Sequence, residues 1–162
     1  VPSEWTMPMA SSSLIQRRLG TTPAVLVASR SYLELHGMPE TPHDLDGHLG
    51  LFHEPAARPA IWRLRAAGHP PVEIQLPPRM YADEPSALVS AAVAGLGIAA
   101  LPMGLCRSEL ERRLLIRILP KWDAGRASVS LLAVRKGDAL PSVRTVRDFL
   151  VASLPEAMSL QP

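Results

Sequence analysis

A chain of 162 residues, 47% of them hydrophobic, carries enough apolar surface for one ordinary domain or two small lobes, and its formal charge of +2 is far from that of a disordered polyelectrolyte. Its basic residues are scattered, and pairs such as Arg17-Arg18 and Arg112-Arg113 are not interleaved with aromatics, which argues against a nucleic-acid surface on this segment. The single Cys106 excludes an internal disulfide and fits a reducing compartment, and no apolar run is long enough to span a bilayer as a helix. The start, "VPSEWTMPMASSS", lacks the basic-then-apolar order of a secretory signal, and a chain opening on Val1 reads as a piece of something longer.

In chain order, Ser11 to Ser13 suit the start of a loop, and "PAVLVAS" (Pro23 to Ser29) is a short β-branched run that reads as a buried strand. "SYLELHG" follows as a short helix, with Ser31 as its cap and Gly37 as its stop. "TPHDLDGH" places Thr41 at a cap, Pro42 at the first helical position and Asp44 three residues beyond the cap, a relative of the capping box. "LGLF", "AIWRLRA", "VEIQL" and "RMYA" are strand-length pieces separated by Pro or Gly, and they look like an antiparallel set. A helix from about Pro85 to Ala94, a strand from Ile98 to Leu101, a polar helix in "GLCRSELERR", and strands in "LLIRILP" and "ASVSLLAVR" come next. "SVRTVRDFLVASL" closes the series as a helix with Val143, Val146, Phe149, Leu150 and Leu154 on one face. Helices alternating with strands define an α/β sheet protein.

Within this order lies "AAVAGLGIAA" (Ala91 to Ala100), which contains G-x-G-x-x-A, a variant of a phosphate-cradling fingerprint. In that fingerprint a strand feeds the glycine turn and a helix follows it. Here the helix comes first, with Asp83 as a candidate cap and Pro85 in its first turn, so Gly95 reads as a helix-ending glycine and nucleotide binding is disfavoured. His43, His48 and His53 recur every five residues, a spacing that shares a face of neither helix nor strand and matches no usual zinc pattern, so no metal is expected. Of these, His53 alone is a candidate for sensing pH or donating to a ligand. No nucleophile elbow or H-E-x-x-H motif is present, no cofactor is implied, and Trp5, Trp62 and Trp122 read as structural.

The run "SSSLIQRRLGTTPAVLVASRSYLELHGMPETPHDLDGH" resembles the middle of the effector-binding domain of LysR-type transcriptional regulators. The strand at Trp62, "AAVAGLGIAALP", "ILPKW" at Ile118 to Trp122 and the final amphipathic helix then occur in the order of that family, so the resemblance covers about Ser11 to Leu154. It implies a periplasmic-binding-protein-like (type 2) α/β fold: two lobes joined by crossover strands, with a small-molecule effector in the cleft. On this chain, residues 1–21 would be a remnant of the first lobe and the lead-in to a crossover. Residues 22–115 would form the second lobe, and residues 116–162 the return crossover and the C-terminal part of the first lobe.

Carried over residue by residue, the resemblance places the effector at the end of "LGLF" and the start of the helix at Pro85, against Phe52, His53, Glu54, Asp83, Glu84 and Pro85. Helix N-termini suit the carboxylates carried by many effectors of the family, yet Asp83 and Glu84 would oppose one. Either the effector is neutral or cationic, or Asp83 is the helix cap. The function implied is a cytoplasmic, non-enzymatic effector-sensing and dimerisation module, a homodimer or higher oligomer that meets DNA only through a winged helix-turn-helix domain outside these residues. Two other readings stand beside it: a truncated regulator acting through protein pairing alone, and a solute-binding protein on the same fold, which the missing export signal disfavours.

Overall fold

The computed structural model describes residues 14–53, 60–134, 140–158 and 160. The chain divides into two units, Pro23–Gly125 and Val1–Thr22 with Arg126–Pro162, and the opening strand β1 (Leu14–Ser29) passes from one to the other.

In the Pro23–Gly125 unit, Pro and Gly punctuation cuts the chain into short elements. After β1 come α1 (Arg30–His36), a 3-10 turn (Pro42–Leu45), β2 (Gly50–His53), β3 (Ile61–Leu64), β4 (Val72–Gln75), β5 (Pro78–Ala82), α2 (Pro85–Val93), β6 (Ile98–Pro102), α3 (Met103–Glu111) and β7 (Leu115–Ile118). The cap of α1 is Ser29, whose side-chain oxygen accepts the Tyr32 amide at 3.3 Å. Ser31, the expected cap, lies inside the helix, because Ser29 is the last extended residue and only that backbone aims a side chain at the free amides. The turn at Pro42 forms as expected, with the Asp44 carboxylate accepting the amides of Thr41 at 2.7 Å and Glu40 at 3.0 Å. Those two amides hold the Asp44 carboxyl below its ordinary range.

The sheet of this unit runs β5-β2-β6-β1-β7, with β2 parallel to β5 and β6, and β1 antiparallel to β6 and β7. The expectation of an antiparallel set holds for β3 and β4, which pair with each other and are joined by the Arg63–Glu73 ion pair. It fails for β2 and β5, because the β3-β4 hairpin is itself the crossover between them and returns the chain in the same direction. Alternate residues bury on opposite faces of the sheet. Leu26, Ala28, Phe52 and Ile98 join Tyr32 and Leu33 of α1 and Trp62 and Leu64 of the hairpin on one side. Val25, Val27, Leu51, Ala99 and Leu101 meet Leu88, Ala91 and Ala92 of α2 and Cys106 of α3 on the other. Burial pushes the Cys106 thiol up to about 11, so it stays protonated and packs as a small apolar group.

The glycine motif resolves into two separate roles. Gly95 ends α2 at φ +78°, with its amide on the Ala92 carbonyl and the Leu96 amide on the Ala91 carbonyl, each at 3.1 Å. Gly97 opens β6 under the Leu49 carbonyl, whose oxygen lies 2.6 Å from where a Cβ would sit. The end of α3 repeats the first arrangement, with the Arg113 amide on the Leu110 carbonyl and the Leu114 amide on the Glu109 carbonyl, but Arg113 holds a φ of 59° that favours glycine. Arg113→Gly is therefore expected to raise stability by about 0.5–1 kcal/mol, read as a higher urea midpoint at unchanged m-value.

In the other unit, β8 (Arg126–Val134) pairs with β1, and Gln16 Nε2 donates to Ser130 Oγ at 3.0 Å. The helix α4 (Pro141–Ala157) carries the expected apolar face, but Val146 is 58% and Phe149 65% exposed, Val143 is exposed as well, and none of the helix's described residues is buried.

Candidate functional site

Parallel pairing brings the C-terminal ends of three strands to one sheet edge. β2 ends at His53, opposite Ala82 at the end of β5, while β6 runs parallel to β2 and ends at Pro102, where α3 starts. In open α/β sheets this is the edge where ligands bind. The antiparallel register sets Ala24 of β1 against Pro102, and Ala24 exchanges backbone hydrogen bonds with Ala124 (2.8 Å) and Gly125 (2.9 Å). Both ends of the unit, Pro23 and Gly125, therefore lie at the same edge as the strand ends.

Of the six residues singled out, two are joined directly. His53, exposed at the end of β2, donates from Nε2 to the Asp83 carbonyl at 2.9 Å, tying the strand end to the segment that starts α2. Pro85 is the first residue of α2 and is half-buried. The cap of α2 is Glu84, whose carboxylate accepts from the Ser86 amide at 3.4 Å and the Ser86 hydroxyl at 3.2 Å. The reading of Asp83 as the cap is corrected: Glu84 is the residue whose carbonyl takes the first intrahelical bond, from Ala87 at 3.1 Å, and Asp83 stands one position outside. Asp83 is exposed beside it. Phe52 is buried, its ring 5.1 Å from Trp62 and 5.8 Å from Tyr81, so it supports the edge from beneath. Glu54 lies outside the described residues.

Residues of this edge that sequence reasoning passed over are Tyr81, beneath Phe52, and Pro102 with Met103, at the third strand end. Their signal was a repeated pattern: a strand, then a proline, then a helix, as at Pro85 and again at Pro102. The edge offers an imidazole, two exposed carboxylates and the first-turn amides of α2, one of which Glu84 already occupies. Such a set favours polar neutral or cationic ligands over anions.

A family model described as the LysR substrate binding domain matches residues 5–155. The chain belongs to the LysR substrate-binding domain family. This LysR domain is 35% identical over 135 residues to the HTH-type transcriptional activator AaeR of Escherichia coli, a match covering 82% of the chain and 42% of AaeR. Among solved structures it is similar to the regulatory domain of AphB from Vibrio vulnificus, at 31% identity and a TM-score of 0.69 over 88% of this chain and 70% of that one. The CrgA regulatory domain from Neisseria meningitidis gives 26% identity and a TM-score of 0.74 over 90% and 71%. The LysR domain therefore has the periplasmic-binding-protein-like type 2 fold, and the chain spans about two fifths of the length of the curated relatives it matches.

Proposed function

We propose that this chain is the effector-sensing module of a LysR-type bacterial transcriptional regulator, cytoplasmic and without catalytic activity of its own. The effector is taken at the edge formed by Phe52, His53, Asp83, Glu84 and Pro85, and the resemblance adds Glu54 as a contact. The single observation that carries the reading is the His53–Asp83 bond, which joins a strand end to a helix start at the ligand-binding edge of the sheet in a chain of this family. With Glu84 occupied in capping and Asp83 exposed beyond it, the effector class is a neutral or cationic small molecule. In this proposal residues 22–115 form the effector-binding lobe and residues 116–162 the return, the module acts as a homodimer or higher oligomer, and DNA is met by a helix-turn-helix domain outside these residues. The name of AaeR as an HTH-type regulator supports that last point.

One observation favours the pairing reading: the apolar face of α4 is exposed, whereas α2 buries Leu88, Ala91 and Ala92 inside the Pro23–Gly125 unit. Thermal melts of the full chain across protein concentration, with a panel of small amines, neutral polar compounds and carboxylates, separate the two. A saturable rise in Tm of roughly 5–10 °C at about a hundredfold excess over Kd, lost in His53→Ala, supports the sensor. Stabilisation that depends on protein concentration alone and ignores every compound supports the pairing fragment instead.

A further inference from the structure

His48 follows the 3-10 turn and is 6% exposed, an imidazole closed into the fold. Its Nδ1 lies 3.2 Å from the Tyr32 hydroxyl, and the oxygen of that hydroxyl accepts the Leu49 amide at 2.9 Å. With the Leu49 amide on its oxygen, the Tyr32 hydroxyl is placed to donate its own proton to Nδ1, the arrangement of a neutral His48 ring that carries its proton on Nε2. His36 stacks on the Tyr32 ring with centroids 4.4 Å apart, and the His36 and His48 rings are 6.4 Å apart. The titratable groups facing His48 are thus Tyr32 and His36 from α1 and Asp44 from the 3-10 turn. Burial, and then the charge of His36, hold its pKa below the ordinary value, while Asp44 pulls the other way. The Asp44 carboxylate is hydrogen-bonded to the amides of Thr41 and Glu40.

We propose that Tyr32, His36 and His48 form an acid-released latch on the entry to β2. Protonation of His48 removes the acceptor for the Tyr32 hydroxyl and places a charge on a ring that is 6% exposed, against the buried Tyr32. The protonated Nδ1 then donates to the same phenol oxygen, where it competes with the Leu49 amide and loosens the clamp. The effect reaches the sheet through one residue, because the Leu49 carbonyl accepts the Ile98 amide at 2.9 Å and so ties β2 to β6. The latch is independent of what binds at the strand ends.

The sign is fixed by linkage: the unfolded chain takes up the His48 proton at about pH 6.5, before the folded one does. The latch's contribution is complete above that value and is lost as pH falls through and below it. The test is thermal melting of the full chain near pH 7.5 and near pH 5.5 (about one unit either side of an ordinary histidine), as wild type and as His48→Asn. Asparagine keeps an acceptor for Tyr32 and cannot titrate. Wild type is expected to lose about 2–4 °C more than the variant on acidification, and equal losses overturn the latch. Should His48→Asn not fold, NMR titration of wild-type His48 decides: it is expected to titrate below the ordinary histidine value of about 6.5, with Leu49 amide exchange accelerating alongside. His48 titrating at the ordinary value, with no change at Leu49, overturns the proposal.

Discussion

Truncating Phe52 to alanine will destabilise the Pro23–Gly125 unit by about 3–5 kcal/mol, seen as a lower urea midpoint at nearly unchanged m-value. The ring is 7% exposed and stands against Trp62 and Tyr81, so its removal opens a cavity among large, rigid neighbours that cannot collapse into it. The adjacent backbone cannot fill the gap either. Gly50 leaves the space occupied by the ring, since a Cβ there would come within 2.8 Å of Phe52 Cζ. A loss under about 1 kcal/mol, the size of a surface change, would show that Phe52 lines an open pocket and is no part of the core. Phe52→Leu, which refills most of the volume, should recover more than half of the loss and leave any ligand response measurable.

Gly97→Ala is expected to cost about 2–3 kcal/mol, a large effect for a single methyl group. The new carbon would sit 2.6 Å from the Leu49 carbonyl oxygen and 3.2 Å from its carbon, both backbone atoms that cannot rotate aside. Relief requires the start of β2 to retreat, which breaks the 2.9 Å bond from the Ile98 amide to that same carbonyl. Hydrogen exchange at Ile98 reports this directly and should accelerate in the variant. A variant as stable as the parent, with Ile98 still protected, would mean that the strands separate at little cost.

What could be read from the sequence follows the range of the forces that set it. The turn at Thr41 to Asp44 and the proline start of α2 depend on neighbours within a few residues, and both form where expected. The choice of Glu84 over Asp83 as cap turns on the backbone angles of two adjacent acids, which composition does not encode. The pairing of β2 with β5 and β6 is set by segments distant in sequence, and four strand-length pieces carry no mark of their direction. The His53–Asp83 bond joins residues 30 positions apart, and only the family resemblance brought the two together in advance. The spacing of His48 argued against a metal and carried no sign of its partner, the tyrosine 16 residues upstream.

The strand order also sets a timetable for synthesis. β1 is the first strand of the Pro23–Gly125 unit to leave the ribosome, yet its partners are β6 and β7, the last two strands of the unit. The apolar run Val25 to Ala28, completely buried in the folded unit, has no strand partner within the unit until Ala99 to Leu101 have emerged, and lacks its second until Ile118 has. Such a nascent chain exposes a wholly apolar stretch of strand for most of the time its unit is being translated. A holding chaperone has its longest window on this segment.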